Sequence, residues 1–479
     1  MRRLALLAAT ALTGCTTVGP DYRQPDVPTP AQYAESDGSA GLSDAELAGW
    51  WRAFDDSKLD TLVNRALAQN LDVQAATARI REARAGETVA GAASQPQLDA
   101  QGSVTRQRIS ENALPIPPGA GTGGSFGLPG AEFTTFRAGF DASWEIDLFG
   151  RTRRSIEAAS ARSGAALWNR RDVQVSVAAE VADAYLSLRT LQTRIATAEA
   201  ELARQQRFER LVAARVRAGL ITGQDLEQQS SERATAAAAL PALQAQADVR
   251  IHALGVLTGG TPEAMIAELS HPAAMPPVPP AIPAGLPSDL LRRRPDIRAA
   301  ERELAASSAD IGIAVADLYP RISLTAAPAL VSTALGSLLE WGSRSFSAGA
   351  AIDWPLFNGG RTRGNIAVAN ARQEQALIAY RKAVLRALQD VEDALSRTDG
   401  DRRQLADLNL AVRNAARAED IARTRYRGGL VSYSDVLLAQ GRRIKLEDQV
   451  MEIRGALARD SVVLFKAMGG GWPELGAQP

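Results

Sequence analysis

The residues that most often carry out chemistry in proteins are scarce in this sequence. It contains one cysteine, Cys15, and two histidines, His252 and His271. This set argues against a Cys/His metal cluster, a disulfide framework and a cysteine nucleophile activated by histidine. The glycine-rich stretch 119–130 lacks the lysine and the helix start of a phosphate-binding loop, so we interpret it as a flexible loop. We therefore expect no catalytic residue, no cofactor, no metal and no enzyme activity.

The charged residues balance one another. Lys and Arg together number 54, Asp and Glu together number 54, and the formal net charge at pH 7 is 0. Phosphate binding needs a basic excess on some face, so this balance argues against nucleic acid as the main partner. Hydrophobic residues make up 46% of the chain but aromatic residues only 5%. Most of the apolar side chains are therefore not aromatic, and many are small. Small apolar side chains suit close packing of helices better than a bulky globular core.

The single cysteine belongs to an N-terminal targeting segment. Two arginines precede the apolar stretch 4–12, which is typical of a secretory signal peptide. Residues 12–15 (LTGC) resemble the lipobox of bacterial lipoproteins, which implies cleavage before Cys15 and lipidation of that residue. By the same resemblance, Thr16 favours the outer over the inner membrane. The alternative is an ordinary signal peptide with a chance cysteine.

Two long segments of the chain repeat each other at a constant offset of 210 positions. A junction motif recurs in both, and its matched pairs are Trp144 with Trp354, Gly150 with Gly360 and Arg151 with Arg361. Farther toward the N-terminus, 71–76 aligns with 295–300 at an offset of 224. The two offsets differ because a Gly/Pro-rich insert around 115–130 has a shorter counterpart near 329–342. A linker with seven prolines separates the two halves.

These repeats predict the domain organisation. We expect a signal peptide at 1–14, a lipid-anchored extended segment at 15–56, and a first helix/β-hairpin repeat at 57–270. The linker at 271–287, a second repeat at 288–468 and a C-terminal tail at 469–479 complete the chain.

Each half contains a segment in which apolar and polar residues alternate. These segments are 136–148 and 346–356, and weaker partner strands begin at Pro96 and Pro320. A period of two predicts strands with one face against an apolar medium and one against water, as in a membrane β-barrel. The alternative is a half-buried sheet in a soluble sandwich. Because about eight strands are the smallest number that closes a barrel, four strands require other subunits to pair their edges.

The remaining sequence predicts helices of unusual length. The segments 150–219 and 360–429 contain no proline and each spans about 69 residues, or about 100 Å as helix. Shorter helices are expected at 57–94 and 224–257, which together match one long helix. Leucines and alanines at three- and four-residue spacing predict coiled-coil packing. An ordinary antiparallel helical bundle is the alternative, but it explains neither the hairpins nor the matched lengths.

The turns that follow the two long helices are the sharpest functional candidates. Both carry a glycine, a leucine and a hydroxyl residue, which are Gly219, Leu220 and Thr222 in the first turn and Gly429, Leu430 and Ser432 in the second. Glycine permits a left-handed helix end, and a hydroxyl caps the next helix. Those roles leave the two leucines unexplained at an exposed position.

The start of the mature sequence (GCTTVGPDYRQP, 14–25), the duplicated GRTR junctions and the GL turns resemble the outer-membrane efflux family. Within it, the TolC-like exit ducts and the OprM-like (NodT-type) lipoproteins of RND multidrug pumps are the nearest match. The resemblance implies a homotrimer whose twelve strands form a β-barrel that continues as an α-helical periplasmic tunnel. It also implies a periplasmic adaptor that docks on the turns, and an inner-membrane RND transporter.

Charged and aromatic residues beside the turns are candidates for a periplasmic gate. They are Asp225, Asp435, Arg217, Arg427 and Tyr426. In the implied trimer, a ring of carboxylates around the axis would select cations and repel anions. The alternative is that the two aspartates are favoured simply because they lie at helix N-termini.

Three functions follow in order of preference. The first is the outer-membrane exit duct of an RND-type efflux pump, anchored by lipid and extending into the periplasm. The second is a similar duct for type I protein secretion or metal efflux. The third, a periplasmic coiled-coil adaptor or scaffold, would not need strands of period two.

Overall fold

The computed structural model describes residues 17–35, 41–110, 132–280 and 282–472. Cys15, the predicted signal peptide and the Gly/Pro-rich insert around 115–130 lie outside these residues.

Ten α-helices occur in the described part of the chain. They are α1 (Asp44–Ala48), α2 (Ser57–Gln69), α3 (Leu71–Ala92), α4 (Arg151–Arg217), α5 (Gly223–Leu257), α6 (Ile266–Leu269), α7 (Leu290–Arg293), α8 (Pro295–Ala316), α9 (Arg361–Arg427) and α10 (Tyr433–Ala467). Short 3₁₀ turns lie at Trp50–Phe54, Pro262–Met265, Pro287–Asp289, Leu335–Ser337 and Trp341–Ser343.

The helices of the two halves have matching lengths. The long helices α4 and α9 each contain 67 residues, the returning helices α5 and α10 each contain 35, and α3 and α8 each contain 22. The two long helices were predicted at about 69 residues, and glycines bound them as expected. None of the helices in the described residues contains a stretch apolar enough to cross a lipid bilayer.

One predicted helix is interrupted. The sequence predicted a continuous helix over 57–94, whereas the structure breaks it at Asn70, between α2 and α3. Asn70 adopts an extended backbone, with ψ at 135°, and its side-chain oxygen accepts hydrogen bonds from the amides of Asp72 and Val73. Its side-chain nitrogen donates to the Leu257 carbonyl at 3.0 Å. The buried amide therefore caps α3 and ties it to the end of α5.

The six strands found in the described residues form one antiparallel sheet. They are β1 (Gln97–Arg108), β2 (Glu132–Ile146), β3 (Arg321–Ala326), β4 (Ala329–Ser332), β5 (Arg344–Ser345) and β6 (Ala348–Asp353). β2 pairs with β1 on one side and with β3 and β4 on the other, and β3 pairs with β6. The break between β3 and β4 falls at Pro328, which has no amide hydrogen to donate.

The predicted strand ends need correction. The strand at 136–148 begins earlier, at Glu132, and ends at Ile146, where the Leu148 amide bonds the Ile146 carbonyl in a tight turn. The strand at 346–356 is reduced to β6 and ends at Asp353, two residues before Pro355. Proline cannot continue the ladder of hydrogen bonds.

The strand register gathers apolar residues on one face, as the alternation predicted. Directly paired residues share a face, and the pairs are Leu98 with Ala142, Val104 with Phe136, Trp144 with Leu324 and Ile322 with Ile352. The neighbouring pairs are polar, such as Arg137 with Ser103 and Glu145 with Ser323. Large apolar side chains on this face are exposed, including Leu98 at 67% and Ile352 at 69%.

The chain divides into two compact units, each assembled from three stretches of sequence. The first contains the strands and comprises residues up to 24, 82–163 and 302–377. In it, the extended segment after residue 16 is fixed to the start of α4: the Val18 amide donates to the Phe149 carbonyl at 3.1 Å. The buried guanidinium of Arg154 donates to the carbonyls of Val18 and Gly19 and pairs with Asp21 at 2.7 Å.

The second unit comprises 25–81, 164–301 and 378–479 and is helical. Its core includes fully buried side chains from α2, α4, α9 and α10, among them Leu59, Leu62, Leu186, Leu188, Tyr380 and Leu437. α10 approaches α4 closely at Gly455, where a Cβ atom would lie 2.5 Å from Thr190.

The residues after α10 complete this core. The Gly471 amide donates to the Leu47 carbonyl at 3.0 Å, and the Trp472 indole donates to the Gly469 carbonyl at 3.0 Å. Trp472 is buried and meets Trp168 of α4 edge to face, with 5.7 Å between ring centroids. We call Gly469–Trp472 the closing segment.

Candidate functional site

The two turns that follow the long helices have the same backbone geometry. Gly219 and Gly429 adopt positive φ angles of 69° and 72°. The Leu220 amide donates to the Arg215 carbonyl at 3.0 Å, and the Leu430 amide donates to the Arg425 carbonyl at 2.9 Å. The glycine amides each bond the carbonyl three residues earlier. This is the Schellman helix ending, which requires the left-handed conformation that glycine adopts without steric cost.

The hydroxyl residues cap the returning helices. Thr222 begins α5 and Ser432 begins α10, and each forms a capping box with an aspartate three residues later. Asp225 accepts from the Thr222 amide at 3.0 Å and hydroxyl at 2.8 Å, and Asp435 accepts from the Ser432 amide at 2.8 Å and hydroxyl at 2.7 Å. These hydrogen bonds, from the Ser432 hydroxyl first, hold the pKa of Asp435 below its usual value.

The side chains of the turn leucines take no part in either helix ending. Leu220 and Leu430 are each 72% exposed. Between them they place apolar side chains in the same position of two equivalent turns. We call Gly219, Leu220, Thr222, Gly429, Leu430 and Ser432 the turn surface.

The candidate gate residues lie beside the turn surface, but their surroundings differ between the halves. Arg217 and Arg427 are both exposed. Tyr426 packs against Tyr433, with 5.1 Å between ring centroids. The positions that correspond to this pair in the first turn are Val216 and Gly223. An aromatic contact therefore braces the second turn only.

Sequence reasoning missed an ion pair that joins each long helix to its returning helix. In the first half, Arg233 of α5 lies 2.9 Å from Glu209 of α4. In the second, Arg443 of α10 lies 2.6 Å from Glu419 of α9. Both pairs occur at the offset of 210 positions that relates the halves, so comparison of charged residues at this offset would have found them.

The junction motif fixes the ends of the strands to the preceding helices. The Trp144 indole donates to the Ser94 carbonyl at 3.1 Å, and the Trp354 indole donates to the Leu318 carbonyl at 3.0 Å. In each half, this carbonyl lies two residues beyond a helix of 22 residues. The two tryptophans thus perform the same structural task in equivalent positions.

The rest of the junction motif differs between the halves. Gly150 packs against Thr17, whereas Gly360 has open space where a Cβ atom would lie. Arg151 donates to Asp317 at 3.2 Å, while Arg361 is exposed. The lipidation candidate Cys15 lies outside the described residues. Within the described ranges, no three potential metal ligands come together.

Three comparisons with known proteins agree on one family. The model of the outer membrane efflux protein family matches residues 62–260 and 286–470. The pyoverdine export outer membrane protein OpmQ of Pseudomonas aeruginosa is 34% identical over 98% of this chain and 97% of its own length. The cation efflux system protein CusC of Escherichia coli O6:H1 is 30% identical over 98% and 99%. The solved structure of the outer-membrane channel OprN superimposes with a TM-score of 0.85 at 34% identity, covering 95% of this chain and all of the other.

Proposed function

The chain belongs to the outer membrane efflux protein family and is an outer-membrane efflux channel that extends into the periplasm, and we propose that it is the exit duct of a tripartite RND-type pump. In this proposal three lipidated copies form a closed duct, a periplasmic adaptor docks on the turn surface, and an inner-membrane transporter supplies the energy. The observation that carries the proposal is the pair of exposed leucines in two equivalent turns.

The sheet supports completion of a barrel by three copies. Among the described residues, β1 pairs only with β2 and β6 only with β3, so two edges keep unpaired backbone groups. Unpaired edges in lipid are costly, because no water is available to bond them. β3 and β4 lie in line beside β2 as one interrupted ribbon, and β5 and β6 pair with them as another, so each copy supplies four ribbons. Three copies then give twelve ribbons and no edge. The apolar face of the sheet would then meet the lipid, and the polar face the water-filled lumen.

The uncovered apolar residues of α9 support the same assembly. Ile378 is 56% exposed and Leu385 is 64% exposed. On α3, Val89 is 73% exposed. A second copy that packs against these residues would remove them from water, which contributes about 25 cal/mol for each Å² of apolar surface. We also interpret the matching helix lengths as two tandem repeats, at 57–270 and 288–468.

Docking of an adaptor on the turn surface explains why apolar residues remain at exposed turns. Burial of one leucine side chain contributes about 1.5–3 kcal/mol, equivalent to roughly a tenfold or greater change in affinity. We expect the double variant Leu220→Ser/Leu430→Ser to lose adaptor binding and efflux. The measurement is recovery of the adaptor with the affinity-tagged channel after crosslinking in cells, together with efflux of a fluorescent dye.

The matched control is Leu71→Ser, which removes a leucine of similar exposure, 67%, at the start of α3. It should leave adaptor recovery unchanged. All variants must first reach the outer membrane as trimers. If adaptor recovery from the double variant equals that of the wild type, the docking role of the turn surface is excluded.

We also propose that Asp225, Asp435, Arg217, Arg427 and Tyr426 narrow the periplasmic end of the duct. Reversing the charge of both aspartates should increase single-channel conductance and antibiotic leakage into cells. Because the aspartates also cap helices, the control is Asp225→Asn/Asp435→Asn, which keeps an acceptor oxygen but removes the charge. Unchanged conductance and susceptibility after charge reversal would exclude a gate.

Substrate choice is proposed to lie with the inner-membrane partner. Relatives named for pyoverdine export and for cation efflux are similar to this chain over nearly the same length. The relative named for cation efflux supports metal efflux as the alternative function. A duct for type I protein secretion is the other alternative, since the same channel would serve it. Capture of the native complex from membranes, with identification of the transporter, distinguishes them.

A further inference from the structure

The loop between β4 and β5 carries exposed apolar side chains. The last residue of β4 pairs with Phe136 near the start of β2, so the loop lies at the end of the sheet away from the beginning of α4. In the loop, Leu339 is 84% exposed and Trp341 is 77% exposed, and Phe346, just after β5, is 85% exposed. Exposed leucine and aromatic side chains at one end of a sheet indicate a surface that meets a partner or a membrane.

The loop satisfies many of its own polar groups. The hydroxyl oxygens of Ser332 and Ser337 lie 2.7 Å apart, and the Ser343 hydroxyl donates to the Ser337 carbonyl at 2.7 Å. The amides of Leu338, Glu340 and Ser343 each donate to the carbonyl three residues earlier. Because these groups are bonded within the loop, it can present apolar side chains to a medium that offers no hydrogen bonds.

A cation lies on the apolar face of the sheet beside this loop. Arg344 pairs with Leu330, and Leu330 pairs with Ala138 of β2, so all three share that face. The Arg344 guanidinium lies over the Trp341 ring, and its Nε donates to the Trp341 carbonyl at 2.8 Å. No carboxylate of the described residues forms an ion pair with it. Its two terminal nitrogens therefore remain available to an anion.

A second arginine on the same face differs in this respect. Arg106 of β1 pairs with Thr134, which lies on the apolar face near the start of β2. Its guanidinium forms an ion pair with Glu132 at 2.9 Å. At the offset of 210 positions, Thr134 itself corresponds to Arg344. The first hairpin thus has a neutral residue at the position where the second has an arginine stacked on an aromatic ring.

We propose that Trp341, Arg344 and Phe346 bind a membrane lipid with an anionic phosphate headgroup. The guanidinium binds the phosphate, which arginine can hold through two parallel hydrogen bonds. Phe346 lies one step closer to the middle of the sheet than Arg344, so the charge and the ring follow the order of headgroup and acyl chains. Aromatic side chains gather at this boundary in membrane barrels. The site rests on the proposed duct, because it requires the apolar face of the sheet to meet the bilayer.

Quenching of tryptophan fluorescence by brominated lipids tests the site in the full-length channel in nanodiscs. The probes are dibrominated phosphatidylglycerol, which is anionic, and dibrominated phosphatidylcholine, which has no net charge. Each is a minor component in unlabelled phosphatidylcholine, and the signal of Trp341 is the difference between the wild type and Trp341→Phe. We expect phosphatidylglycerol to bind beside Trp341 about fivefold more strongly than phosphatidylcholine, equivalent to about 1 kcal/mol.

Variants of Arg344 separate its charge from its packing. Arg344→Gln should abolish the preference for the anionic lipid, whereas Arg344→Lys keeps the charge and should retain most of it. The matched control Arg106→Gln removes an arginine that Glu132 already neutralises, and should bind as the wild type does. The proposal is overturned by a wild type without preference, by an Arg344→Gln variant that keeps it, or by equal losses in Arg344→Gln and Arg106→Gln.

Conductance of the same preparations in planar bilayers distinguishes failure of the lipid site from failure of the duct. A conducting channel in which neither brominated lipid quenches Trp341 overturns the lipid site and leaves the duct intact. It would assign the exposed loop to a protein contact instead. A chain that neither inserts nor conducts overturns both.

Discussion

The two long helices, α4 and α9, have the same length but different surroundings. Over 174–192, α4 is buried on nearly every side. α9 instead buries a single stripe at three- and four-residue spacing, whose members are Tyr380, Val384, Ala387, Val391 and Ala394. Its other faces keep Ile378 and Leu385 exposed. A helix with one buried stripe and further apolar residues in water has a face that a single chain leaves uncovered.

This difference shows that the residues that determine local structure are not the ones that determine assembly. The helix ends, capping boxes and Glu–Arg pairs occur in both halves, and they depend only on residues within one helix pair. The burial of a long helix depends on what surrounds it. Variants placed at equivalent features of the two halves therefore separate folding of the chain from contact between copies.

The largest expected effect distinguishes a buried leucine from an exposed one. Leu188→Ala leaves a cavity at a fully buried position of α4 and should lower the free energy of unfolding by about 2–5 kcal/mol. Leu385→Ala, at 64% exposure, should change chain stability by less than about 0.5 kcal/mol but weaken the proposed trimer. Denaturant unfolding measures the first effect, and trimer yield on native gels the second. Equal losses of chain stability would contradict the comparison.

An intermediate effect is expected at the ion pairs. Glu419 is nearly fully buried and binds both Arg423 and Arg443, whereas the side chain of Glu209 is 25% exposed and binds Arg233. Glu419→Gln should cost about 2–3 kcal/mol, because it removes the charge of a buried carboxylate that binds two arginines. Glu209→Gln should cost less than about 1 kcal/mol. Thermal unfolding of the two variants side by side measures the difference, which a reversed order would refute.

The smallest effect is expected at the helix caps, and it tests whether the two turns are equivalent. Thr222→Ala and Ser432→Ala should each cost about 1 kcal/mol, since each removes one capping hydroxyl. Hydrogen bonding lowers the pKa of Asp435. The contribution of that cap is therefore complete above the ordinary pKa of an aspartate and is lost as the pH falls through the lowered value. The two substitutions should shift the unfolding curves at pH 7 equally. A clearly larger shift for one of them would show that the two caps contribute differently to the free energy of unfolding.

Much of the fold was predictable because glycine, proline and periodicity report local geometry. The positive φ angles of Gly219 and Gly429 correspond to the predicted helix ends. The apolar face of the sheet follows from residues such as Phe136 and Trp144, whose period of two survives in the register. These signals need only neighbouring residues.

The rest depends on contacts between distant residues. Asn70 interrupts a helix because its side chain reaches Leu257, 187 residues later, and the preceding sequence gives no sign of this. The roles of the turn leucines and gate residues stay predictions, since they concern contacts with a proposed adaptor and with other copies of the chain.

The closing segment has a consequence for biogenesis. Gly471 bonds Leu47, and Trp472 covers Trp168, so residues from both extremities of the sequence meet in one core. Contacts between residues more than 400 positions apart form slowly and only after nearly all of the polypeptide has emerged from the secretion machinery. Until then, the apolar surfaces of α4 remain open to aggregation. The surfaces that Gly471 and Trp472 cover are therefore among the last in the helical core to be buried.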